Sequence, residues 1–496
     1  MTANASETIF ASPKSCEANM RVDQTSTERA ASDEDRVSRQ LRAFWLAAGG
    51  SQAFLESCSF SGAGELVSAF RVTDMATAAI GAAGTSVAEL LHASTGTLPS
   101  VWVDRRMASL WFGTSLRPQG WTMPPQWDPV AGNYRARDRW IRLHTNAPHH
   151  RLAALSVLDC VADAQSVAQA VSRWDAGALE DAIVERGGCA AAMYSAREWA
   201  GHPQGNAVAT EPLLHVRAAT DGVARAWRPS KDRPLRGIRV LDLTRILAGP
   251  VATRFLAGLG ADVLRIDPYG WEEPGTVPEV VLGKRCARLN LKDAADLDTL
   301  EQLLRGADIV VHGYRSDALA RLGLDAAHRR ELNPALVDVS LDAYGWSGEW
   351  RGRRGFDSLI QMSTGIAEAG MRAMGGDEPV NLPVQAIDHA TGYLMATAAI
   401  RGLTTRMKEG VGTEARASLA RTAAELQLRS EPMSEVVELV ADDRRDRAAH
   451  VEPTSWGPAS RLLPPVQIDD APLRWFHPAR ALGSFEPGWS SSNDDL

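Results

Sequence analysis

Residues 234–270 read PLRGIRVLDLTRILAGPVATRFLAGLGADVLRIDPYG. Within them the short apolar and β-branched run Ile238–Leu243 is typical of a buried strand. Pro250 suits the first turn of a helix, where its missing N–H has no intrahelical partner to lose, so a helix should begin near Ala248. The run Asp262–Asp267 then predicts a second strand. Together these segments predict a βαβ unit of a parallel sheet.

Sheets of this kind bind ligands in the crevice beyond the carboxyl ends of their strands. The GxGxxG fingerprint of dinucleotide-binding proteins is absent from this unit. The pattern alone therefore leaves two interpretations open, a site for a nucleotide-like ligand and an ordinary α/β core.

The composition limits the classes of partner. The 496 residues are 45% hydrophobic and 23% charged, enough for two or three domains with real cores. The formal net charge of -8 provides no overall basic field, so neither nucleic acid nor an anionic membrane is an expected partner. No uninterrupted apolar run reaches the roughly 18 residues of a transmembrane helix.

Five cysteines are scattered along the chain without a CxxC spacing. This distribution favours free thiols in a reducing compartment over a disulfide framework or a zinc site, and it predicts a cytoplasmic protein. The histidines His144, His149 and His150 form the densest group of that residue type, but they lack a carboxylate partner at ligand spacing. We expect them to line a polar loop, and no metal site is predicted.

Changes in composition divide the chain into four parts. The polar opening has no signal-peptide core and is expected to be a disordered tail. A Pro/Trp-rich loop at 121–135 and a linker near 219–234 mark further boundaries. The predicted parts are 1–36 (tail), 37–230 (first part), 235–428 (sheet domain) and 429–496 (connector and C-terminal docking tail).

The sheet-domain sequence resembles the family III CoA-transferases. The resemblance begins with the βαβ stretch and GKRCARLNLK at 283–292, and it continues through DIVVHGYRSDALARLGL at 308–324 and LNPALVDVSLDAYGWSG at 332–348. It ends with VQAIDHATGYLMATAAI at 384–400. What this implies is a Rossmann-like parallel sheet that binds CoA, together with a smaller α+β domain.

The resemblance also implies a chemical centre at Asp388. In such enzymes an aspartate attacks an acyl-CoA thioester, the CoA thiolate returns to form an aspartyl-CoA thioester, and an acceptor carboxylic acid then takes the CoA. CoA is thus a substrate, and no metal or redox cofactor is implied. By its position before an apolar run, Asp388 could equally be a helix N-cap; the two roles are compatible, because a helix N-terminus favours an ionised carboxylate.

Family position also nominates residues for contact with CoA. Tyr314 is the aromatic of a turn that departs from the usual pattern, because His312 and Gly313 replace an Asn-containing sequence. The remaining candidates are cations for the phosphates and backbone positions in the first loop. The predicted CoA contacts are Arg245, Ile246, Ala248, Lys284, Arg285, Tyr314, Arg315 and Arg321.

Two alternatives to a transferase stay open. Acyl-CoA racemases of the same superfamily use a histidine where this chain has Phe356, and phenylalanine cannot act as a base. His389 follows Asp388 directly, but neighbouring helical residues point in different directions, so a catalytic dyad is not expected. A CoA-binding pseudoenzyme or subunit is the other alternative.

The first part of the chain contains signs of a second copy. Residues 133–216 resemble the small domain of the family, which normally follows the catalytic segment rather than preceding it. Upstream, Asp74 and the Ala-rich sequence after it match Asp388 and its helix at a constant offset of 314 positions. We therefore predict a truncated first copy fused to a second one, with Asp74 as a relic or a plain N-cap. Either a homodimer or an intrachain pseudo-dimer would follow.

Overall fold

The computed structural model describes residues 33–219, 226–314, 317–430 and 437–490. Its strands are β1 (Cys58–Ser61), β2 (Val101–Asp104), β3 (Leu116–Pro118), β4 (Gly132–Arg135), β5 (Trp140–Leu143), β6 (Ala190–Ala192), β7 (Leu214–Ala218), β8 (Arg239–Leu243), β9 (Asp262–Asp267), β10 (Lys284–Arg288), β11 (Ile309–His312), β12 (Val337–Asp342), β13 (Thr413–Ser418), β14 (Glu452–Thr454), β15 (Gly457–Arg461) and β16 (Val466–Ile468). Its α-helices are α1 (33–47), α2 (Val72–Thr95), α3 (Arg105–Gly113), α4 (Pro148–Leu158), α5 (Ala164–Val171), α6 (Ala176–Glu185), α7 (Ala196–Gly201), α8 (Pro203–Thr210), α9 (Ala248–Gly258), α10 (Val277–Val280), α11 (Ala294–Gly306), α12 (Ala326–Leu332), α13 (Asp357–Ser363), α14 (Ile366–Ala373), α15 (Ala386–Glu409) and α16 (Leu419–Arg429).

The largest sheet has seven strands in the order β10-β9-β8-β11-β12-β13-β7. The first six are parallel, and β7 runs antiparallel to β13. Numbered along the second part of the chain, the parallel strands have the order 3-2-1-4-5-6 of a Rossmann fold. The predicted βαβ unit is confirmed: β8, α9 and β9 occupy the expected residues, and α9 begins at Ala248.

Helices cover both faces of this sheet, which is why its strands are rich in buried apolar residues. Helix α15 packs closely on α9, and a Cβ added at Gly392 would lie 2.4 Å from the carbonyl oxygen of Ala248. Gly392 therefore permits the tight packing of α15 on α9.

Helices α2 and α15 have the same local architecture. Each has 24 residues, and every residue of α2 corresponds to the residue 314 positions later in α15. Each helix ends at a glycine with positive φ, Gly96 and Gly410. The same offset relates β2 to the end of β13, and the start of α3 to the start of α16. The two helices pack against each other, while the duplication of the gene segment stays a prediction.

The two halves exchange strands. The three-stranded sheet β1-β2-β16 has a parallel pair from the first part of the chain and an antiparallel edge strand from the C-terminal part. Conversely, β7 of the first part is the antiparallel edge strand of the large sheet. Each half thus completes a sheet of the other.

A smaller α+β unit lies in the first part of the chain. The antiparallel sheet β4-β5-β6 packs against α4, α5 and α6 around a separate apolar cluster. The C-terminal segment returns to the larger domain: Trp475 stacks on Trp111 with ring centroids 5.6 Å apart, and the indole N–H of Trp489 donates to the carbonyl of Leu303 at 3.3 Å. The remaining sheet, β14-β15-β3, also joins the two ends of the chain.

The described residues bear on the predicted N-terminal tail, the free cysteines and the absence of a transmembrane helix. Residues 1–32 lie outside the described part, whereas 33–36, which the sequence analysis assigned to the same tail, form the first turn of α1. Among the described residues, Cys58, Cys160, Cys189 and Cys286 are free. Over the same residues, every helix is too short or too polar to cross a bilayer.

Candidate active site

A cavity of about 300 Å³ opens at the carboxyl ends of β8, β11 and β12. This is the point at which the strand order of the large sheet reverses, where α/β proteins of this topology bind ligands. The segments that follow β8 and β11 form one wall. Asp388 at the start of α15 and the loop before α13 form another, and the first turn of α4 closes the cavity from the small α+β unit. Its lining residues include Thr244, Arg245, Ile246, Ala248, Trp271, Tyr314, Asp342, Arg354, Phe356, Asp388, His149 and His150.

Asp388 is the third residue of α15. Helix α15 begins at Ala386, its N-cap residue is Gln385, and no side chain caps it. The expectation of an Asp388 N-cap is therefore wrong. The backbone N–H of Asp388 donates to a carboxylate oxygen of Asp357 at 2.9 Å, while its own carboxylate accepts no hydrogen bond from any residue in the described ranges. The side chain thus lines the cavity, and no described residue donates a hydrogen bond to it.

The neighbourhood of Asp388 disfavours its ionised form. Burial, followed by the charge of Asp357, raises the pKa of Asp388 well above its ordinary value. Burial also raises the pKa of Asp357 to about 6. The sequence-based expectation that the helix terminus keeps Asp388 ionised is not met, because burial raises its pKa. A helix terminus contributes at most about 2 kcal/mol, whereas full burial shifts a pKa by up to ~5 units, or roughly 7 kcal/mol.

The loop after β8 holds a cation at the cavity. The guanidinium of Arg245 lies 4.7 Å from the ring centroid of Trp271 and 5.1 Å from that of Tyr314, and it donates to the Tyr314 hydroxyl at 3.1 Å. No carboxylate among the described residues pairs with it. Ile246 next to it has a φ of 65°, which is strained for a β-branched residue, and its N–H donates to Glu273 at 3.0 Å. The loop is therefore held in an unusual conformation that presents Arg245 to the cavity.

Four of the eight predicted CoA contacts, Arg245, Ile246, Ala248 and Tyr314, line this cavity. Lys284 does not: it is fully buried, and its ammonium group donates to Asp242 at 3.0 Å and to the carbonyl of Pro250 at 2.9 Å. It fixes the start of α9 to the end of β8. The predicted contact of Lys284 with CoA thus has no support in its position.

The remaining predicted cations lie elsewhere. Arg285 pairs with Asp262 at 3.0 Å on the outer strand β10. Arg321 is largely exposed and pairs with Asp317 in a 3-10 turn. Neither lines the cavity, and Arg315 lies outside the described residues. The turn before it is anchored by His312, whose ring lies 3.1 Å from Asp338 in a buried network.

Sequence reasoning missed the contribution of the small unit. His149 and His150, which were expected only to line a polar loop, form part of the cavity wall. His150 contacts Phe356 edge-on with ring centroids 5.9 Å apart, and His144 stacks on the same ring at 3.7 Å. Only the reversed domain order in the sequence could have indicated that residues 149–150 would face Asp388.

His389 has a different environment from its neighbour. Its ring stacks on Phe112 at 4.9 Å, is buried, and is absent from the cavity lining. Burial lowers the pKa of His389 to about 3, so the ring is neutral. Its position agrees with the expectation that consecutive helical residues diverge.

The counterpart of Asp388 in the first half is enclosed. Asp74 is the third residue of α2, and its carboxylate lies 3.1 Å from Arg36 and 2.8 Å from Arg105. Arg105 occupies the position that corresponds to Leu419, a residue of the cavity wall. An arginine in this position pairs with the aspartate, so the first half has a buried ion pair where the second half has an open cavity.

The sequence model described as CoA-transferase family III matches residues 235–454. This segment of the chain is thus similar to CoA-transferase family III. The matched segment contains the six parallel strands, Asp388 and all but two of the residues that line the cavity. The remaining lining residues, His149 and His150, come from outside it.

Curated relatives have related names. An acyl-CoA transferase of Gibberella moniliformis is 28% identical over 393 residues, which are 68% of each chain. A succinate–glutarate CoA-transferase of Agrobacterium fabrum is 30% identical over 203 residues, 37% of this chain and 50% of that protein. The chain thus spans two thirds of the first relative and half of the second. A crystal structure of Rv3272 from Mycobacterium tuberculosis aligns with 29% identity over 40% of this chain and 57% of that chain, with a TM-score of 0.37.

Proposed function

We propose that this chain transfers CoA between an acyl-CoA and a carboxylic acid, with Asp388 as the nucleophile. The match of residues 235–454 to CoA-transferase family III and the relatives that are named CoA-transferases support an enzyme of this class. The observation that carries the proposal is the position of Asp388. It presents to a cavity at the switch point of a Rossmann-like sheet a carboxyl group that accepts no hydrogen bond from the described residues.

In the proposed reaction, a carboxylate oxygen of Asp388 attacks the thioester carbonyl and the C–S bond breaks. The CoA thiolate leaves, and an acyl-aspartyl anhydride remains. The thiolate then attacks the aspartyl carbonyl, which releases the donor acid and leaves an aspartyl-CoA thioester. The acceptor carboxylate attacks the aspartyl-CoA thioester and displaces the thiolate, which then attacks the acceptor's carbonyl in the new anhydride. The acceptor acid departs as its CoA thioester, and the carboxylate of Asp388 is regenerated. The exchange is redox-neutral.

The residues of the cavity suit the positioning of CoA and the reacting groups better than they suit general acid–base catalysis. Arg245, held between Trp271 and Tyr314, is placed to pair with a phosphate of CoA, because no protein carboxylate in the described ranges neutralises it. Burial of Asp388 removes water from the nucleophile, which favours exchange between bound acids over hydrolysis. The reacting groups remain close through both half-reactions.

We also propose that one chain builds one complete site. The first half supplies His149 and His150, and the second half supplies the sheet and Asp388. The strand exchange supports an intrachain pseudo-dimer over the predicted alternative, a homodimer. Asp74, the counterpart of Asp388 in the first half, is paired with Arg36 and Arg105. Cytoplasmic location stays a prediction.

The experiment is intact-protein mass spectrometry after incubation with acyl-CoA donors, with and without hydroxylamine. We expect one CoA-sized adduct per chain, which hydroxylamine converts to a hydroxamate at Asp388 and which Asp388→Asn abolishes. Asp74→Asn is the matched control, since it removes the corresponding carboxylate of the first half and should leave the adduct intact. Absence of any adduct despite CoA binding would instead favour the pseudoenzyme.

The same samples separate the transferase from a racemase. In D2O a racemase exchanges the α-proton of the acyl group, whereas the proposed reaction leaves it in place. Native mass spectrometry of the active species tests the assembly: a monomer with full activity supports the pseudo-dimer. Activity that disappears on dilution to monomers would contradict it.

A further inference from the structure

The first turn of α4 presents an anion-binding arrangement to the cavity. Pro148 occupies the first position of the helix, His149 and His150 follow, and the turn contains no acidic residue. The N-cap residue, Ala147, has no capping side chain, and its carbonyl accepts the N–H of His150 at 2.9 Å. Pro148 has no N–H, so the N–H of His149 is the donor of this turn that has no partner among the described residues. The positive end of the helix dipole is therefore not compensated at this wall.

His150 is an independent sign of a missing ligand. The residue is 3% exposed, and neither of its ring nitrogens has a hydrogen-bond partner among the described residues. Buried polar side chains in folded proteins nearly always have such partners, so an unpaired ring at a cavity wall indicates a group supplied from outside. The ring is also neutral, because burial lowers the pKa of His150 to about 3. A neutral imidazole still has one N–H to donate.

Arg354 supplies a full charge beside this histidine. It lines the same cavity, and its charge contributes to the lowered pKa of both His149 and His150. Its guanidinium donates to the carbonyl of Gly187 at 3.0 Å but pairs with no carboxylate in the described part of the chain. The preceding residue, Arg353, differs in this respect because it is paired with Glu180.

The charges on the rest of the wall do not neutralise Arg354. The two acids of the lining are Asp342 and Asp388, and burial raises the pKa of Asp342 to about 7 and that of Asp388 well above its ordinary value. The other unpaired cation is Arg245, on the loop after β8. The cavity thus combines two arginines without counterions and two carboxyl groups that resist ionisation.

We propose that His150, Arg354 and the first turn of α4 bind the distal carboxylate of a dicarboxylic acid substrate. A carboxylate that reacts loses its charge on forming the thioester, so a permanent cation beside it would favour the free acid over the thioester. A distal carboxylate keeps its charge in the acid, the anhydride and the thioester, and a fixed arginine suits it throughout. This inference rests on the proposed transferase function and adds the substrate class.

The test compares succinate with succinamate, which has the same size and one carboxylate less. With the full-length chain we expect a kcat/KM for succinate about 100-fold above that for succinamate. Arg354→Gln should remove most of this preference through a higher KM for succinate, and Arg354→Lys should restore part of it. Arg151→Gln is the matched control: it removes a positive charge from the same helix, but from a side chain that pairs with Asp128 and is absent from the lining.

Two outcomes would overturn the subsite. One is equal activity of the wild-type chain on the two acids, and the other is an equal loss for both acids in Arg354→Gln. Weaker binding of CoA itself to Arg354→Gln, measured by calorimetry, would assign the arginine to a CoA phosphate and would also refute it. Binding of succinate in the absence of CoA, also measured by calorimetry, tests the carboxylate subsite separately from the proposed transferase function. If wild-type protein binds succinate through Arg354 but forms no aspartyl-CoA, the subsite stands and the transferase function fails.

Discussion

Replacing Asp357 by asparagine should make the proposed nucleophile easier to ionise. Both carboxyl groups are buried, and Asp357 accepts the N–H of Asp388 at 2.9 Å and the side-chain amide of Gln361 at 2.5 Å. Asparagine keeps the size and a carbonyl oxygen for the first of these bonds, but it removes the negative charge. Two unit charges roughly 5 Å apart repel by about 3 kcal/mol at an effective dielectric constant of about 20, or ~2 pKa units.

The sign of the pH effect follows from the chemistry. Attack requires ionised Asp388, so the rate of adduct formation should rise with pH through the raised pKa of Asp388. In Asp357→Asn that pKa falls, and the rise should move to lower pH by one to two units. The assay is kcat/KM for CoA transfer to the acceptor acid between about pH 5 and pH 9, a range wide enough to contain the shifted pKa values of such groups.

Asp342→Asn is the control for this profile, since burial raises the pKa of that cavity carboxyl to about 7. A profile that keeps its midpoint in Asp342→Asn and shifts in Asp357→Asn assigns the rise to Asp388. An unchanged profile in Asp357→Asn, or a shift to higher pH, would refute the coupling of the two carboxyl groups.

Three further predictions concern single side chains. Asp388→Asn should abolish transfer yet raise the free energy of unfolding at pH 8 by roughly 1–3 kcal/mol. The reason is that the raised pKa of Asp388 destabilises the wild-type fold at any pH above the pKa of an aspartate in the unfolded chain. In denaturant titrations this gain in stability should vanish near pH 4. Asp74→Asn should keep transfer per folded molecule but lower the stability by about 3 kcal/mol, since Arg36 and Arg105 lose a buried counterion; a stability equal to that of wild type would contradict the ion pair. Arg245→Gln should raise the KM for acyl-CoA about tenfold with little change in kcat, and a loss confined to kcat would contradict a role in CoA binding.

The sequence predicted the sheet domain well because its signals are local. The apolar run of β8, Pro250 at the start of α9 and the strand at β9 each reflect the conformational preferences of adjacent residues. Asp388 was found through the resemblance of its surrounding sequence. Its raised pKa could not be predicted, because Asp357 is distant in sequence and only the fold buries the two together.

The sequence predictions for Lys284 and His150 were wrong for the same reason, because the position of each side chain depends on the tertiary fold. Lys284 occupies a family motif, but successive strand residues point to opposite faces of a sheet, and in β10 the lysine is the member that points into the core. His150 comes from a segment that precedes the sheet domain by almost 90 residues, and no local pattern relates it to Asp388. Long-range juxtaposition decides the function of both side chains.

The exchanged strands constrain how the chain can be synthesised. Strand β7 leaves the ribosome long before its partner β13. The sheet that contains β1 and β2 cannot be completed until β16, near the C-terminus, has been synthesised. The first half cannot complete its hydrogen bonds until almost the whole chain has emerged, and contacts between such distant residues form slowly. Its apolar sheet edge is therefore exposed during translation. We expect the nascent first half to depend on chaperones, and ribosome-bound chains stalled near residue 440 to be far more protease-sensitive than released ones.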